Sequence, residues 1–424
     1  MTIHVVRSGE TLWSIAQAAG LDPRRLAAEN AVPPSGALAV GQTLVLRFPK
    51  EFYSVRPGDT LQQISQETGV PLRTLWQNNW TLGGGTLIFP GDSLVLSYQE
   101  EPTASALLNG YAYPGISRAL LNQQLPYLSC LTPFTHGIAQ DGSLLFPADT
   151  PLLRSARTHS VSPVLHLSTL TEDGSFDTAR AIQVLSNPEM QDQLIADLLV
   201  RMEQQGYAGL DVDFEYLPQS YAQAYAAFLG QLRRLLMPQG KFLWAALAPK
   251  TRADQPGLLY EGHDYAAVGA AADAVLLMTY EWGYTAGPPM AVAPLPNVRN
   301  VLDYALTEIP PEKILLGIPN YGYDWTLPFR PGITRAQSLS NQSAIDLAIR
   351  QGAEIHYDSS AQAPFFHYTA ENGTSHEVWF EDARSLAAKF RLIEEYGLLG
   401  SGIWNLMRPF SQTWLTAASL YQIR

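Results

Sequence analysis

The sequence predicts a (β/α)8 barrel that carries a small α+β insertion after its seventh strand and follows two small βααβ units. Three observations lead there. Eight short apolar, β-prone runs alternate with helical segments after residue 105. A pattern within the first 98 residues recurs at a fixed offset. Between the two regions lies a polar, proline-bearing stretch, Ser97 to Ala104, which reads as a linker.

The repeat comes first along the chain. Gly9, Thr11, Leu12, Ile15, Leu26 and Asn30 return as Gly58, Thr60, Leu61, Ile64, Leu75 and Asn79, each 49 residues later. Gly41-Gln42-Thr43-Leu44 returns as Gly91-Asp92-Ser93-Leu94 after one further residue, as a duplicated unit with one loop insertion would. In each unit a β-prone run, His4 to Val6 or Tyr53 to Val55, leads into a glycine turn. Thr11 or Thr60 stands where a helix N-cap belongs, a second helix holds Leu26 or Leu75, and Thr43 to Leu46 or Ser93 to Leu96 closes the unit. This places the units at 1–48 and 52–98, a linker at 99–104 and the barrel at 105–424, as separate cores. The pattern Val-x-x-Gly-[Glu/Asp]-Thr-Leu with a closing Asn resembles the LysM module. That resemblance implies binding of N-acetylglucosamine-containing glycan, although most of the shared positions serve only to build the small fold.

The barrel strands are expected at Ala106 to Leu108, Tyr127 to Leu131, Val164 to Leu167, Leu210 to Phe214, Phe242 to Leu247, Ala274 to Met278, Ile314 to Ile318 and Gly402 to Trp404. Asp192 to Gln204 and Tyr221 to Leu236 have helical periodicity. The gap 326–376 contains extra strands at Glu354 to Tyr357 and Phe365 to Tyr368 and reads as the insertion. An open doubly wound sheet is the alternative, but no glycine-rich phosphate loop follows any strand.

Composition excludes several classes. With 27 basic against 39 acidic side chains the formal charge is -12, which argues against nucleic acid or an anionic membrane as partner. Cys130 is the single cysteine, so no intramolecular disulfide is possible. None of the eight histidines shows metal-ligand spacing, and neither metal nor cofactor is expected. The N-terminal residues lack the basic and apolar regions of a secretory signal, and no apolar run is long enough to span a membrane. A monomer without membrane insertion is expected.

The densest acidic cluster in an apolar setting is Leu210-Asp211-Val212-Asp213-Phe214-Glu215. On a strand, alternation puts Asp211, Asp213 and Glu215 on one face, each roughly 7 Å from the next along the strand, and Leu210, Val212 and Phe214 on the other. Like charges so close in a low-dielectric cavity disfavour full ionisation, so at least one carboxyl keeps its proton near neutrality. A glycosidase needs such a group to protonate a poor leaving oxygen. At the C-terminal end of a fourth barrel strand these side chains would face the usual mouth of the site.

The spacing resembles the Asp-x-Asp-x-Glu signature of glycoside hydrolase family 18, the chitinase family. Leu277-Met278-Thr279-Tyr280-Glu281, Gly317-Ile318-Pro319-Asn320-Tyr321-Gly322 and Gly402-Ile403-Trp404 agree with it. The resemblance implies that Glu215 is the general acid and that Asp213 orients the substrate acetamido group, whose oxygen is the nucleophile. It implies also that Asp211 shares a proton with Asp213, that Tyr280 hydrogen-bonds the acetamido group and that Trp404 floors the reacting sugar. Glu281 stands where chitinases usually have Asp, and Leu167-Ser168-Thr169-Leu170 replaces the usual Ser-x-Gly-Gly. Tyr111, Trp282, Tyr321, Tyr323 and Trp325 are candidates for stacking on sugar or for core packing, and Asp324 for polar lining or a turn.

Tandem LysM-like repeats, no export signal and the string Tyr280-Glu281-Trp282-Gly283-Tyr284 most resemble the spore cortex-lytic N-acetylglucosaminidases. The resemblance implies action on cortex peptidoglycan by an enzyme made in the mother-cell cytoplasm and deposited on the spore. A LysM-anchored chitinase is the alternative. A catalytically inactive lectin or coat protein is a further one, against which the intact Glu215 speaks.

Overall fold

The computed structural model covers residues 1–424 and describes all of them except Pro34. Eight parallel strands close into a barrel: β1 (Ala104–Ala112), β2 (Cys130–Pro133), β3 (Ser162–Ser168), β4 (Gly209–Asp213), β5 (Phe242–Leu247), β6 (Ala274–Leu277), β7 (Ile314–Pro319) and β8 (Gly400–Trp404). Each pairs in parallel with the next, and β8 returns to β1 through Gly400 opposite Leu107. Parallel closure requires a crossover after each strand, which explains the alternation of apolar runs with amphipathic helices such as Pro188–Gln205 and Ala222–Leu236. The second strand starts three residues later than its sequence suggests and runs on to Pro133. Leu125–Tyr127, with Pro126 near its start, is a 3-10 turn, and the fixed φ of proline suits that position.

The insertion is a five-stranded antiparallel sheet in the order Gln337–Leu339, Gly322–Thr326, Ser375–Trp379, Ala363–Thr369, His356–Asp358, with a helix at Asn341–Gln351. It begins directly after β7 at Gly322 and ends at Trp379, a little outside the 326–376 gap.

Each N-terminal repeat is a βααβ unit with a two-stranded antiparallel sheet, Thr2–Val5 with Thr43–Leu46 and Pro49–Ser54 with Ser93–Tyr98. Thr11 and Thr60 cap their helices by accepting from Ser14 N and Gln63 N, and both helices end on a left-handed glycine, Gly20 or Gly69. The repeated asparagine has a clear task. Asn30 donates to Leu26 O and Val45 O and accepts from Val45 N, fastening the second helix to the last strand. Asn79 does the same with Leu75 O, Val95 O and Val95 N.

Each repeat has a core of its own, around Leu12, Ile15, Leu26 and Leu44 in the first and Leu61, Ile64, Leu75 and Leu94 in the second, but both are also docked on the barrel, which the sequence reading did not foresee. Ala39, Val45 and Trp80 belong to the same apolar cluster as the barrel strands and helices. Thr43 exchanges two hydrogen bonds of 2.7 Å with Gln412. Arg73 and Gln77 donate to Pro126 O, and Tyr127 donates back to Gln77 O. Between the repeats, the Arg47 guanidinium lies 3.7 Å over the Tyr98 ring. The linker is itself held, with Gln99 N donating to Phe48 O and Gln422 to Pro102 O. Among the described residues no helix is long and apolar enough to cross a membrane.

Candidate active site

Strand alternation works on β4 as the sequence implies. Leu210, Val212 and Phe214 are fully buried, and the Phe214 ring stacks on Tyr225 and Phe228 of the helix outside the barrel. Asp211 and Asp213 face inward, and Glu215 stands just past the strand end. Asp211 is fully buried beneath a cavity of about 200 Å3 that Asp213, Glu215, Tyr280, Glu281, Trp404 and Tyr111 help to line. Tyr111 donates to Asp211 Oδ2 at 2.7 Å.

Burial raises all three carboxyl pKa values. Asp211 is pushed up to about 6, chiefly by desolvation, with His166 and the Tyr111 hydroxyl acting against the shift. Asp213 is raised by desolvation, and Glu215 by desolvation and then by the negative charge of Asp213. The Oδ1 atoms of Asp211 and Asp213 have no hydrogen-bond partner among the described residues, so neither aspartate is pinned on both oxygens.

His166 is the residue that sequence reasoning missed. It lies on β3 opposite Asp211 in the parallel register, is almost fully buried, and places Nε2 at 3.5 Å from Asp213 Oδ2 and 4.0 Å from Asp211 Oδ2. Burial depresses its pKa to about 4, so the imidazole is neutral and carries one N–H. Its Nδ1 shares a 2.7 Å hydrogen bond with Thr135, whose hydroxyl also lies 3.0 Å from Ser168. Ser168 belongs to the segment Leu167-Ser168-Thr169-Leu170 that stands in place of Ser-x-Gly-Gly. The available signal was a polar residue amid the apolar run Val164-Leu165-His166-Leu167.

The walls need space that two glycines provide. A Cβ on Gly317 of β7 would lie 2.8 Å from the Tyr280 ring, and one on Gly402 of β8 would lie 3.3 Å from the Tyr111 ring. Trp404, at the end of β8, packs its ring against Phe134 at 4.9 Å and Tyr111 at 5.7 Å. A second hollow of about 430 Å3 shares Glu215, Tyr280 and Glu281 with the first and adds Tyr216, Tyr260, Trp282 and Tyr284. Glu215 therefore borders room on two sides.

Glu281 reaches both hollows, and its carboxylate accepts from Tyr321 and from Tyr323, the latter at 2.9 Å. Tyr216 and Glu281, each just beyond a strand end, hold left-handed backbone conformations with φ of 58° and 67°, a strain that clusters at functional sites. Asp324 is not brought to the cavity. It lies within the insertion sheet and accepts from Tyr368 and His376 at 2.7 and 2.8 Å, because the chain turns away from the barrel at Gly322. Tyr321 is buried and does not line the cavity but donates to Glu281, which does, and Trp325 is fully buried with its indole N–H on Gly287 O.

Comparison with known proteins agrees with this geometry. The profile of Glycosyl hydrolases family 18 matches residues 174–408, and that of the LysM domain matches 4–47 and 53–97. The chain is 38% identical to the cortical fragment-lytic enzyme of Bacillus subtilis (strain 168), over 100% of its own length and 99% of the relative's. With the crystal structure of the spore cortex-lytic enzyme SleL of Bacillus megaterium QM B1551 it shares 36% identity and a TM-score of 0.84, covering 100% of this chain and 98% of that one. With a chitinase from Chromobacterium violaceum ATCC 12472 the values are 28% and 0.69, over 74% and 98%. A family profile over more than half of the chain, together with a relative aligned end to end, settles the classification: the chain belongs to family 18 of the glycosyl hydrolases, with two LysM domains ahead of its barrel.

Proposed function

We propose that the protein hydrolyses spore cortex peptidoglycan as an N-acetylglucosaminidase, by a retaining mechanism in which the substrate's own acetamido oxygen is the nucleophile. The observation that carries this reading is the arrangement on β4: a raised-pKa Glu215 bordering both hollows, above Asp213 and a fully buried Asp211. Protonated Glu215 gives its proton to the glycosidic oxygen while the acetamido oxygen closes on the anomeric carbon. Asp213, steered by His166 from below, takes the hydrogen bond of the acetamido N–H and offsets the positive charge of the cyclised intermediate. Tyr280 contributes its hydroxyl at the same place, Trp404 supports the sugar face, and the proton shared by Asp211 and Asp213 belongs to the pair. Glu215 then removes a proton from the incoming water, which attacks from the face the leaving sugar vacated.

The resemblance to cortical fragment-lytic enzymes over the whole chain supports cortex as substrate and the spore as the place of action. Similarity to a chitinase over the barrel supports a second reading, hydrolysis of chitin, and digestion of purified cortex against colloidal chitin separates the two. For the mechanism, proton NMR of fresh product is expected to show the β-anomer first, and a thiazoline mimic of the cyclised intermediate is expected to inhibit. If the α-anomer appears first, water attacks directly. Glu281, the further carboxylate bordering the cavity, would then be the base.

A further inference from the structure

The two LysM repeats have nearly the same backbone and opposite surroundings. In both, the loop before the last strand makes the same turn: Ala39 N donates to Gln42 Oε1 and Phe89 N to Asp92 Oδ2, while Gly41 N donates to Val6 O and Gly91 N to Val55 O. In the first repeat this loop is sunk into the barrel domain. Ile355 N donates to Val40 O, Arg384 donates to Gly41 O, and a Cβ on Gly41 would lie 1.8 Å from Ile355 O. In the second repeat a Cβ on Gly91 would meet nothing within 4 Å. The side chains follow the same division. Ala39 is 5% exposed where its counterpart Phe89 is 59% exposed, and Thr43 is buried on Gln412 where Ser93 is exposed.

The free loop borders a hollow of about 460 Å3 lined by Thr81, Leu82, Leu87, Phe89 and Ser93, with Leu87 73% exposed. A neighbouring hollow of about 450 Å3 shares Thr81 and Ser93 and continues past Phe52, which is 57% exposed, to Arg24 and Arg25 of the first repeat. Three exposed apolar side chains thus flank one trough whose polar groups are hydroxyls, the Asn79 amide and charges of both signs, Asp22, Glu29 and Asp92 against Arg24 and Arg25. Exposed apolar surface gathered in a polar-rimmed groove marks an interaction site. The mixture suits a ligand with flat apolar faces and a hydroxyl or amide rim, not a polyion. An N-acetylated sugar strand is such a ligand.

We propose that the chain has one glycan-anchoring site outside the barrel, not two: the trough of Phe52, Thr81, Leu87, Phe89 and Ser93 on the second repeat, with the first repeat serving as its wall and as the strut that fixes it to the barrel. This rests on the reading of the protein as a glycan hydrolase. It removes the avidity gain that two independent modules would bring, and replaces it with an anchor held rigidly relative to the catalytic cleft.

The test uses the full chain carrying Glu215→Gln, so that polymer is not digested, and measures partition onto purified insoluble cortex peptidoglycan. Adding Leu87→Ser and Phe89→Ser is expected to lower the partition constant at least tenfold. Adding instead Trp13→Ser, which removes an aromatic 69% exposed on the first repeat outside the trough, is expected to change it less than twofold. In the chain with Glu215 intact, the Leu87→Ser/Phe89→Ser pair should leave kcat/KM on soluble N-acetylglucosamine oligomers within twofold, which shows that the fold survives. Partition unchanged by the pair, or lowered tenfold by Trp13→Ser, overturns the single-site assignment while leaving the hydrolase reading standing. If the parent is retained by neither cortex nor chitin and hydrolyses neither, both fall.

Discussion

Replacing Asp211 by Asn should make the folded protein more stable at pH 8 and slightly less stable near pH 4. Asp211 is fully buried, and its carboxyl is shifted from 3.8 to about 6. At about 1.4 kcal/mol per unit, that shift amounts to about 3 kcal/mol of stability lost by the time the group is fully ionised. The direction follows from proton counts. Between the two values the folded protein holds a proton that the unfolded chain has released, so stability falls as pH rises through this window and is flat above it. Asparagine does not titrate, so the gap between variant and parent opens over the same window. Its carbonyl oxygen can still accept from Tyr111, but its amide faces a site where Oδ1 has no partner, which costs about 1 kcal/mol. A net gain of about 2 kcal/mol at pH 8 is expected. Urea unfolding followed by tryptophan fluorescence at pH 4 and pH 8 measures it, with turnover recorded alongside, since turnover should fall as stability rises. Equal gaps at the two pH values would refute the reasoning, as would a variant less stable than the parent at pH 8.

Three further outcomes are expected. Gly41→Ala should destabilise the protein by about 2 kcal/mol more than Gly91→Ala; both residues have the same kind of left-handed backbone, with φ of 84° and 94°, so thermal unfolding of the pair isolates the contact with Ile355. The pH profile of kcat/KM should show an alkaline limb well above the ordinary glutamate range, because burial and Asp213 raise the Glu215 pKa and activity is lost as that proton leaves; a limb near pH 4.5 would assign the acid elsewhere. Lys389→Met should cost about 3 kcal/mol at neutral pH by stranding Glu381, its buried partner at 2.8 Å, and Glu381→Gln added to it should restore most of the loss in a denaturation series.

What proved legible in the sequence was local or periodic. A two-residue period places Asp211, Asp213 and Glu215 on one face wherever the strand lies, and a fixed offset reveals a duplicated unit without any knowledge of its contacts. The eight apolar runs point to closure of a parallel sheet because a crossover helix follows each one. The cluster His166, Thr135 and Ser168 behind the carboxylates was not legible. His166 meets Asp211 only through the parallel register of β3 and β4, which joins residues 45 positions apart. Asp324 misled for the converse reason: it follows β7 closely in sequence, yet the insertion sheet carries it to Tyr368 and His376.

The amino-acid sequence by itself determined the family, the order of its parts and the face on which the acid stands, because helix and strand periods, caps and repeat spacing are set by residues a few positions apart. Only the tertiary structure decided how acidic those carboxyls are, which aromatic groups reach the cavity and which of two like repeats keeps a free surface. Those properties depend on what the fold packs against each residue, and Gly41 and Gly91 differ in nothing but that.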